Sequence, residues 1–455
     1  MRPENKTKDI MLRMRNAGVV GTDKLSVPTY VKLSSKADLV IANGAESEPL
    51  LHSEKSLLHE KPELIIDGIK IAMEATGAPK AVIAVRSSEK ERMRSLYSLL
   101  KEEKNIDIFY LEDFYPSGDE PILVYEVTKK LIPEGKTPLD KGIVVEKLLS
   151  FAWMYQGYHG KPVTERPISV VGEVQRPQVT WFPIGTLYKD ILNFAGGTTV
   201  DLKNAVVFDG GPLQGEVVKD LNIGIGKNTS AVMVLPKDHK VSKVKMKNLE
   251  EMILQNQGVS GDSSMMEDLC PRYQLGYDIH PSEVIKSLHF PLMMKPSSLR
   301  SAYSCNDCSL CEYMGSSTLN ESPRLIYNEF KKNLARQEKK VSLKSGEKVN
   351  KVRLNYHYNK VSCSHLIKQV QVEKYDSFNR SILPKTNPQK VRVPVTRHKG
   401  TPAKPVVVEG QTLKMGDVIA FSPPGELGTT YHASIPGRVS EINDHWVEII
   451  KGRNS

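Results

Sequence analysis

The first 130 residues alternate short apolar runs with amphipathic stretches. ADLVIANG is a continuous apolar run closed by Asn43 and Gly44, as expected of a strand buried on both faces. PELIIDGIKIAMEATG carries apolar residues at helical spacing and stops at Gly77. KAVIAVR predicts a second strand, SEKERMRSLYSLLKEE an amphipathic helix, and NIDIFYL a third strand. Such alternation predicts βαβ units and a mostly parallel sheet covered by helices. Ligands of such sheets bind at the C-terminal ends of the strands. Two loops expected there are polar and turn-rich: NGAESEP, Asn43 to Pro49, and YPSGDEP, Tyr115 to Pro121.

The pattern changes near Pro167. PISVVGEVQRPQVTWFPIG predicts two strands about a turn at Arg176-Pro177, and TLYKDILNFAGG a helix stopped by Gly196-Gly197. NAVVFDGGPLQGEVV returns to strand and turn, with Gly210, Gly211 and Gly215 serving positive φ or close backbone approach. A helical block follows, then a lysine-rich stretch, then short Val- and Ile-containing runs cut by Gly, Pro and Asp turns. The expected division is residues 1–160, α/β; 165–240, a small β unit with one helix; 241–340, helical; 341–390, a basic connector; and 391–455, all-β. In the last, VVVEGQTLKMGDVIA followed by HASIPGRV resembles the barrel-sandwich hybrid of biotinyl and lipoyl domains. Its hairpin tip lacks the modifiable Lys, which favours docking over a swinging arm.

With 455 residues, 39% of them hydrophobic, the chain can bury several cores. No run of 18 apolar residues predicts a membrane span. The first residues lack the apolar segment of a secretory signal, so the expected setting is cytoplasmic. Much of the net charge of +10 sits in FKKNLARQEKKVSLKSGEKVNKVRLNYHYNK. No aromatic platform accompanies it, so no nucleic acid is expected; a solvated helix with a linker comes first, and attraction to an acidic protein is an alternative.

The cysteines carry the chemistry. Cys305, Cys308 and Cys311 stand in SCNDCSLCE, the C-x2-C-x2-C spacing of a ferredoxin motif, and Cys270 precedes Pro271 in EDLCPR. In two-cluster ferredoxins the fourth Cys of each motif ligates the other cluster. With Cys270 as the last Cys of a first motif, its missing partners fall at Ser260, Ser263 and Met266, and the second motif loses its fourth Cys within MGSST. Cross-wiring then erases one cluster and leaves Cys270, Cys305, Cys308 and Cys311 as the full ligand set of one [4Fe-4S] cluster. A zinc site completed by Cys363 or His365 is the competing reading. Disulfides come last: five Cys is sparse and odd in number.

In their order, AGVVG, PTYVKL, NGAESEP, YPSGDE, FPIGTLYKDILNFAGGTTV, GGPLQG, LCPRYQLG, CNDCSLCE and HASIPGRVSEI make the chain similar to one family over nearly its whole length. That family comprises the PduS-type cobalamin reductases of bacterial microcompartments and the RnfC proteins of Rnf electron-transport complexes. The resemblance implies a Rossmann-like domain of the complex I flavin-subunit type, a β-grasp (SLBB) domain, a helical ferredoxin-like segment and a C-terminal all-β barrel-sandwich hybrid. It also implies FMN in the first domain, reduced by NADH. Lys32, Asn43, Glu46, Glu48, Gly118 and Glu120 match polar positions of the family's flavin pocket. Two departures weaken that site. The family's glycine-rich loop, G-x-G-G-A-G-F-P-T, reads Gly21-Thr22-Asp23-Lys24-Leu25-Ser26-Val27-Pro28-Thr29 here. Its paired Asn are absent from Ile143-Val144-Val145-Glu146-Lys147-Leu148. The expectation is an electron-transfer protein with weakened FMN affinity, no direct oxidation of NADH, and redox partner proteins within a microcompartment or a reductase complex. The alternatives are an FMN-dependent reductase with a rebuilt loop, acting on a corrinoid, and a docking scaffold with a structural metal.

Overall fold

The computed structural model describes residues 3–46, 48–255, 265–289, 301–315, 321–336, 351–376 and 381–452. Strands Leu39–Asn43, Lys80–Arg86, Ile106–Leu111 and Ile143–Lys147 form the predicted parallel sheet, with Leu39–Asn43 between Lys80–Arg86 and Ile143–Lys147. Both faces are covered: Val40 and Ala42 enter one core, and Ile41, between them, enters another. Helix Pro62–Thr76 starts on a proline at its first position and ends at Gly77, whose φ of 73° supplies the left-handed cap. The helix expected over Ser88 to Glu103 is split. A 3₁₀ turn, Ser87–Arg92, precedes helix Arg94–Leu100, with Met93 buried at the break.

The second unit is a mixed sheet in which Glu165–Gly172 and Ala231–Pro236 lie parallel at the centre. Gln178–Pro183 and Ala205–Asp209 flank them antiparallel. Helix Tyr188–Phe194 packs Tyr188, Ile191 and Leu192 on one face, as a β-grasp requires. Residues read as connector take part in other units' sheets. Val361–Ser362 pairs with Phe114–Tyr115, and Ile382–Leu383 adds an edge strand beside Gln178–Pro183. The C-terminal unit is all β, a four-stranded and a three-stranded sheet over residues 390–450. Its Val393 and Tyr431 join Ile10 and Met14 of helix Pro3–Ala17 in one core, so the chain's two ends pack together. Among the described residues no helix is long and apolar enough to cross a membrane.

Candidate functional site

Cys270 precedes the short helix Pro271–Gln274, Cys305 and Cys308 lie in a loop, and Cys311 lies in helix Leu310–Tyr313. The chain curls between them because Asp307 (φ 59°) and Ser309 (φ 62°) are left-handed. All four thiols are free and line one pocket, with Arg272, Asp307, Arg324 and Tyr327 around them. Burial pushes Cys270 up to about 11 and Cys305 up to about 12, and holds Cys308 and Cys311 well above the ordinary thiol range. Without metal these groups keep their protons; thiolate ligation would release them. Cations stand ready to offset such charge. Arg272 donates to the Ser304 carbonyl at 2.9 Å and pairs with Asp119 at 2.8 and 3.0 Å. The Lys331 ammonium donates to the Cys305 carbonyl at 3.1 Å. Four convergent buried thiols flanked by cations fit a thiolate-held iron–sulfur cluster. Among the described residues no three His, Cys, Asp or Glu side chains are grouped as a single metal ion would need. Neither Cys363 nor His365 lines the pocket.

Counting three residues on from Cys311, the missing fourth Cys of the second motif falls near Gly315, the next residue after Met314. A Cβ placed on Gly315 would lie 3.0 Å from Cγ of Met266, the vacated position of the first motif. Two positions assigned to the erased cluster thus touch, and Met266 is fully buried among apolar side chains with Ile279 and Tyr327. Ser260 and Ser263 lie outside the described residues, as do Ser316 to Thr318 of MGSST.

The flavin-type positions gather at the C-terminal edge of the parallel sheet, but they bind one another. Lys32 donates to Glu120 at 3.1 Å and to the Val145 carbonyl at 2.8 Å, and lies 3.6 Å from Glu146. Burial opposes its charge, yet the carboxylates of Glu120 and Glu146 hold it protonated well above the ordinary lysine range. Burial outweighs Lys32 at Glu146, whose carboxyl is pushed up to about 7. Asn43 donates to the Gly118 carbonyl at 2.8 Å. Glu46 accepts the Lys55 N–H at 3.1 Å, and burial raises it to about 7 against the pull of Lys55. Glu48 points elsewhere, to the Leu213 and Gln214 amides of the β-grasp unit at 2.6 and 2.7 Å.

The rebuilt loop closes on itself. Asp23 accepts the N–H groups of Leu25 and Ser26, both at 2.9 Å, so its carboxylate occupies amides that an anion would use. Leu25, expected to add bulk in the site, is instead 62% exposed. Glu54, which the sequence did not single out, accepts the Thr22 hydroxyl at 2.8 Å and the Leu148 N–H at 2.9 Å, capping helix Leu148–Tyr158. Nor did local sequence mark Tyr115 and Asp119 individually. Tyr115 donates to the Cys308 carbonyl at 2.9 Å, and Asp119 holds Arg272, so the loop YPSGDEP joins the sheet edge to the cysteines. The one available signal was Arg272, two residues beyond Cys270.

Residues 14–156 match the Nuo51 FMN-binding domain, 167–218 the SLBB domain, and 368–454 the RnfC barrel sandwich hybrid domain. Cobalamin reductase PduS of Citrobacter freundii is 30% identical over 445 residues, 97% of this chain and 96% of that protein. PduS of Salmonella typhimurium is 29% identical over 447 residues, 98% and 97% of the two chains. The C component of the Na(+)-translocating ferredoxin:NAD(+) oxidoreductase complex of Acetobacterium woodii is 29% identical over 229 residues, 49% of this chain and 51% of that protein. Among solved structures, an NAD+-reducing [NiFe]-hydrogenase in the H2-reduced state aligns at TM-score 0.48 with 16% identity, over 75% of this chain and 64% of that one. End-to-end identity with PduS and three domain matches along the chain settle the family: the chain belongs to the electron-transfer proteins of the PduS and RnfC type.

Proposed function

We propose that the chain carries one [4Fe-4S] cluster on Cys270, Cys305, Cys308 and Cys311, and passes electrons from a protein donor to an acceptor of the corrinoid class. One observation carries this reading. The four retained Cys line a single pocket, while Met266 and Gly315, at or beside positions vacated in the cross-wired scheme, pack against each other. When bound, such a cluster supplies one-electron storage at a potential tuned by burial and hydrogen bonding. The chain's own residues supply the rest. Arg272 and Lys331 place positive charge beside the thiolates, and Tyr115 anchors the Cys308 backbone. Asp23 and Glu54 occupy N–H groups in the former phosphate loop and helix start, and the Lys32–Glu120–Glu146 set sits among the flavin-type positions. These contacts support weak FMN binding and argue against NADH as a direct donor. The corrinoid acceptor and a redox partner within a microcompartment or reductase complex rest on the two cobalamin reductases matched end to end.

The test is anaerobic purification with iron, sulfide, zinc and flavin quantified on one sample. About four irons and four sulfides per chain are expected, with visible absorption bleached by dithionite and little flavin. Eight irons would overturn the cross-wired scheme. Stoichiometric zinc without sulfide would turn the site into a structural staple and the chain into a scaffold. Rapid flavin bleaching by NADH would restore the FMN-dependent reductase.

A further inference from the structure

The turn from Gly210 to Gly215 in the β-grasp unit touches the loop after Asn43 on one side and the cysteine loop on the other. Glu48 makes the first contact. Its side chain is 4% exposed, and a single oxygen, Oε2, accepts both the Leu213 and the Gln214 N–H. Gly211 lies so close that a Cβ there would stand 2.8 Å from the Glu48 carboxyl carbon. On the far side, the Leu213 carbonyl accepts the Ser309 hydroxyl at 2.9 Å and a bond from the Lys245 ammonium. The Gln214 side-chain amide reaches the Asn306 carbonyl at 3.4 Å. Asn306 and Ser309 bracket Cys308, in the stretch where Asp307 and Ser309 are left-handed. Backbone of that kind persists in non-glycine residues only where its surroundings over-determine it. Here the surroundings include the turn that Glu48 holds.

We infer that Glu48 is a positioning residue for the metal centre: through Leu213 and Ser309 it sets the cysteine loop's geometry and thereby the centre's redox potential. The inference rests on the four-cysteine site proposed above. Potentials of thiolate-held clusters respond to the hydrogen bonds and orientation of their outer shell, which is what this chain of contacts controls. A carboxylate acting simply by its charge would behave differently, and the two accounts separate by substitution. Glu48→Gln keeps an acceptor oxygen for both amides and removes the charge. Ser309→Ala removes the last link and leaves all charges in place.

The experiment uses the full chain, loaded anaerobically, with iron and sulfide measured first on the unsubstituted protein. Failure at that stage counts against the four-cysteine site itself. The reduced-to-oxidised ratio is then read by electron paramagnetic resonance at one fixed ambient potential for Glu48→Gln, Glu48→Ala, Ser309→Ala and the Glu48→Ala/Ser309→Ala pair. Glu48→Ala and Ser309→Ala should each change the ratio about threefold or more in the same direction, and the pair no further, since they act through one path. Glu48→Gln should match the unsubstituted protein. A Glu48→Gln effect equal to that of Glu48→Ala, or additive effects in the pair, would overturn the inference. Should Glu48→Ala fail to fold, a folded Ser309→Ala with an unchanged ratio overturns it alone.

Discussion

Replacing Glu146 by Gln probes the interior of the flavin-type region with a pH signature of known sign. The carboxyl is 2% exposed and faces Lys32, Glu120 and Asp23, with Ser150 as a hydrogen-bond partner. Burial raises it from 4.5 to about 7, because Lys32 offsets the lost hydration only in part. Between those values the folded state binds the proton more tightly than the unfolded chain. This group's contribution to stability is therefore fully present below pH 4.5 and is lost as the pH rises to about 7. At about 1.4 kcal/mol per pH unit, the gap is worth on the order of 3 kcal/mol. Gln mimics the neutral carboxyl, so Glu146→Gln should leave the melting temperature nearly unchanged at about pH 5 and raise it by several degrees at about pH 8. Differential scanning fluorimetry at the two pH values reads this directly. An equal shift at both, or a loss at the higher pH, would show that the carboxylate is fully compensated by Lys32 and would refute the reasoning.

Three further outcomes are expected. Cys270→Ser should lose iron as completely as Cys308→Ser despite its distance in sequence, whereas Cys363→Ser, outside the pocket lining, should retain it in iron and sulfide analysis. Gly at Asp23, Lys24 and Ser26 with Ala at Leu25 frees the two amides that Asp23 now occupies, and should raise FMN affinity by about tenfold, or about 1.4 kcal/mol. No change in flavin-fluorescence titration would make Glu146 and Lys32 the dominant obstacle. Gly211→Val drives a side chain into Glu48, from which even a Cβ would lie 2.8 Å, and should cost about 1–3 kcal/mol by thermal unfolding. A variant of unchanged melting temperature would show that the turn yields.

Much of this was written locally. Lys80–Arg86 and Ile106–Leu111 appear where apolar runs place them, because burial on both faces demands runs of that kind and length. The kept and missing cysteines could be sorted because ligand spacing within a motif is a property of the local chain, and the packing of Met266 against Gly315 accords with that sorting. The break at Met93 is not legible in the sequence, since helical spacing runs through it and the departure depends on what Met93 packs against. Two-residue strands such as Val361–Ser362 have no period to read and exist only because Phe114–Tyr115 offers a partner edge.

The fate of polar side chains was decided later still. The sequence by itself determined that Asp23, Glu48, Glu54 and Glu146 are carboxylates near a ligand edge, and that the glycines of a phosphate loop are gone. Only the tertiary structure decided what each carboxylate meets. Glu54 caps a helix that begins 94 residues on, and Glu48 reaches across 165 residues to another domain. A hydrogen bond is satisfied by whichever donor folding brings within about 3 Å, and nothing in the spacing of neighbouring residues encodes a donor that far along the chain.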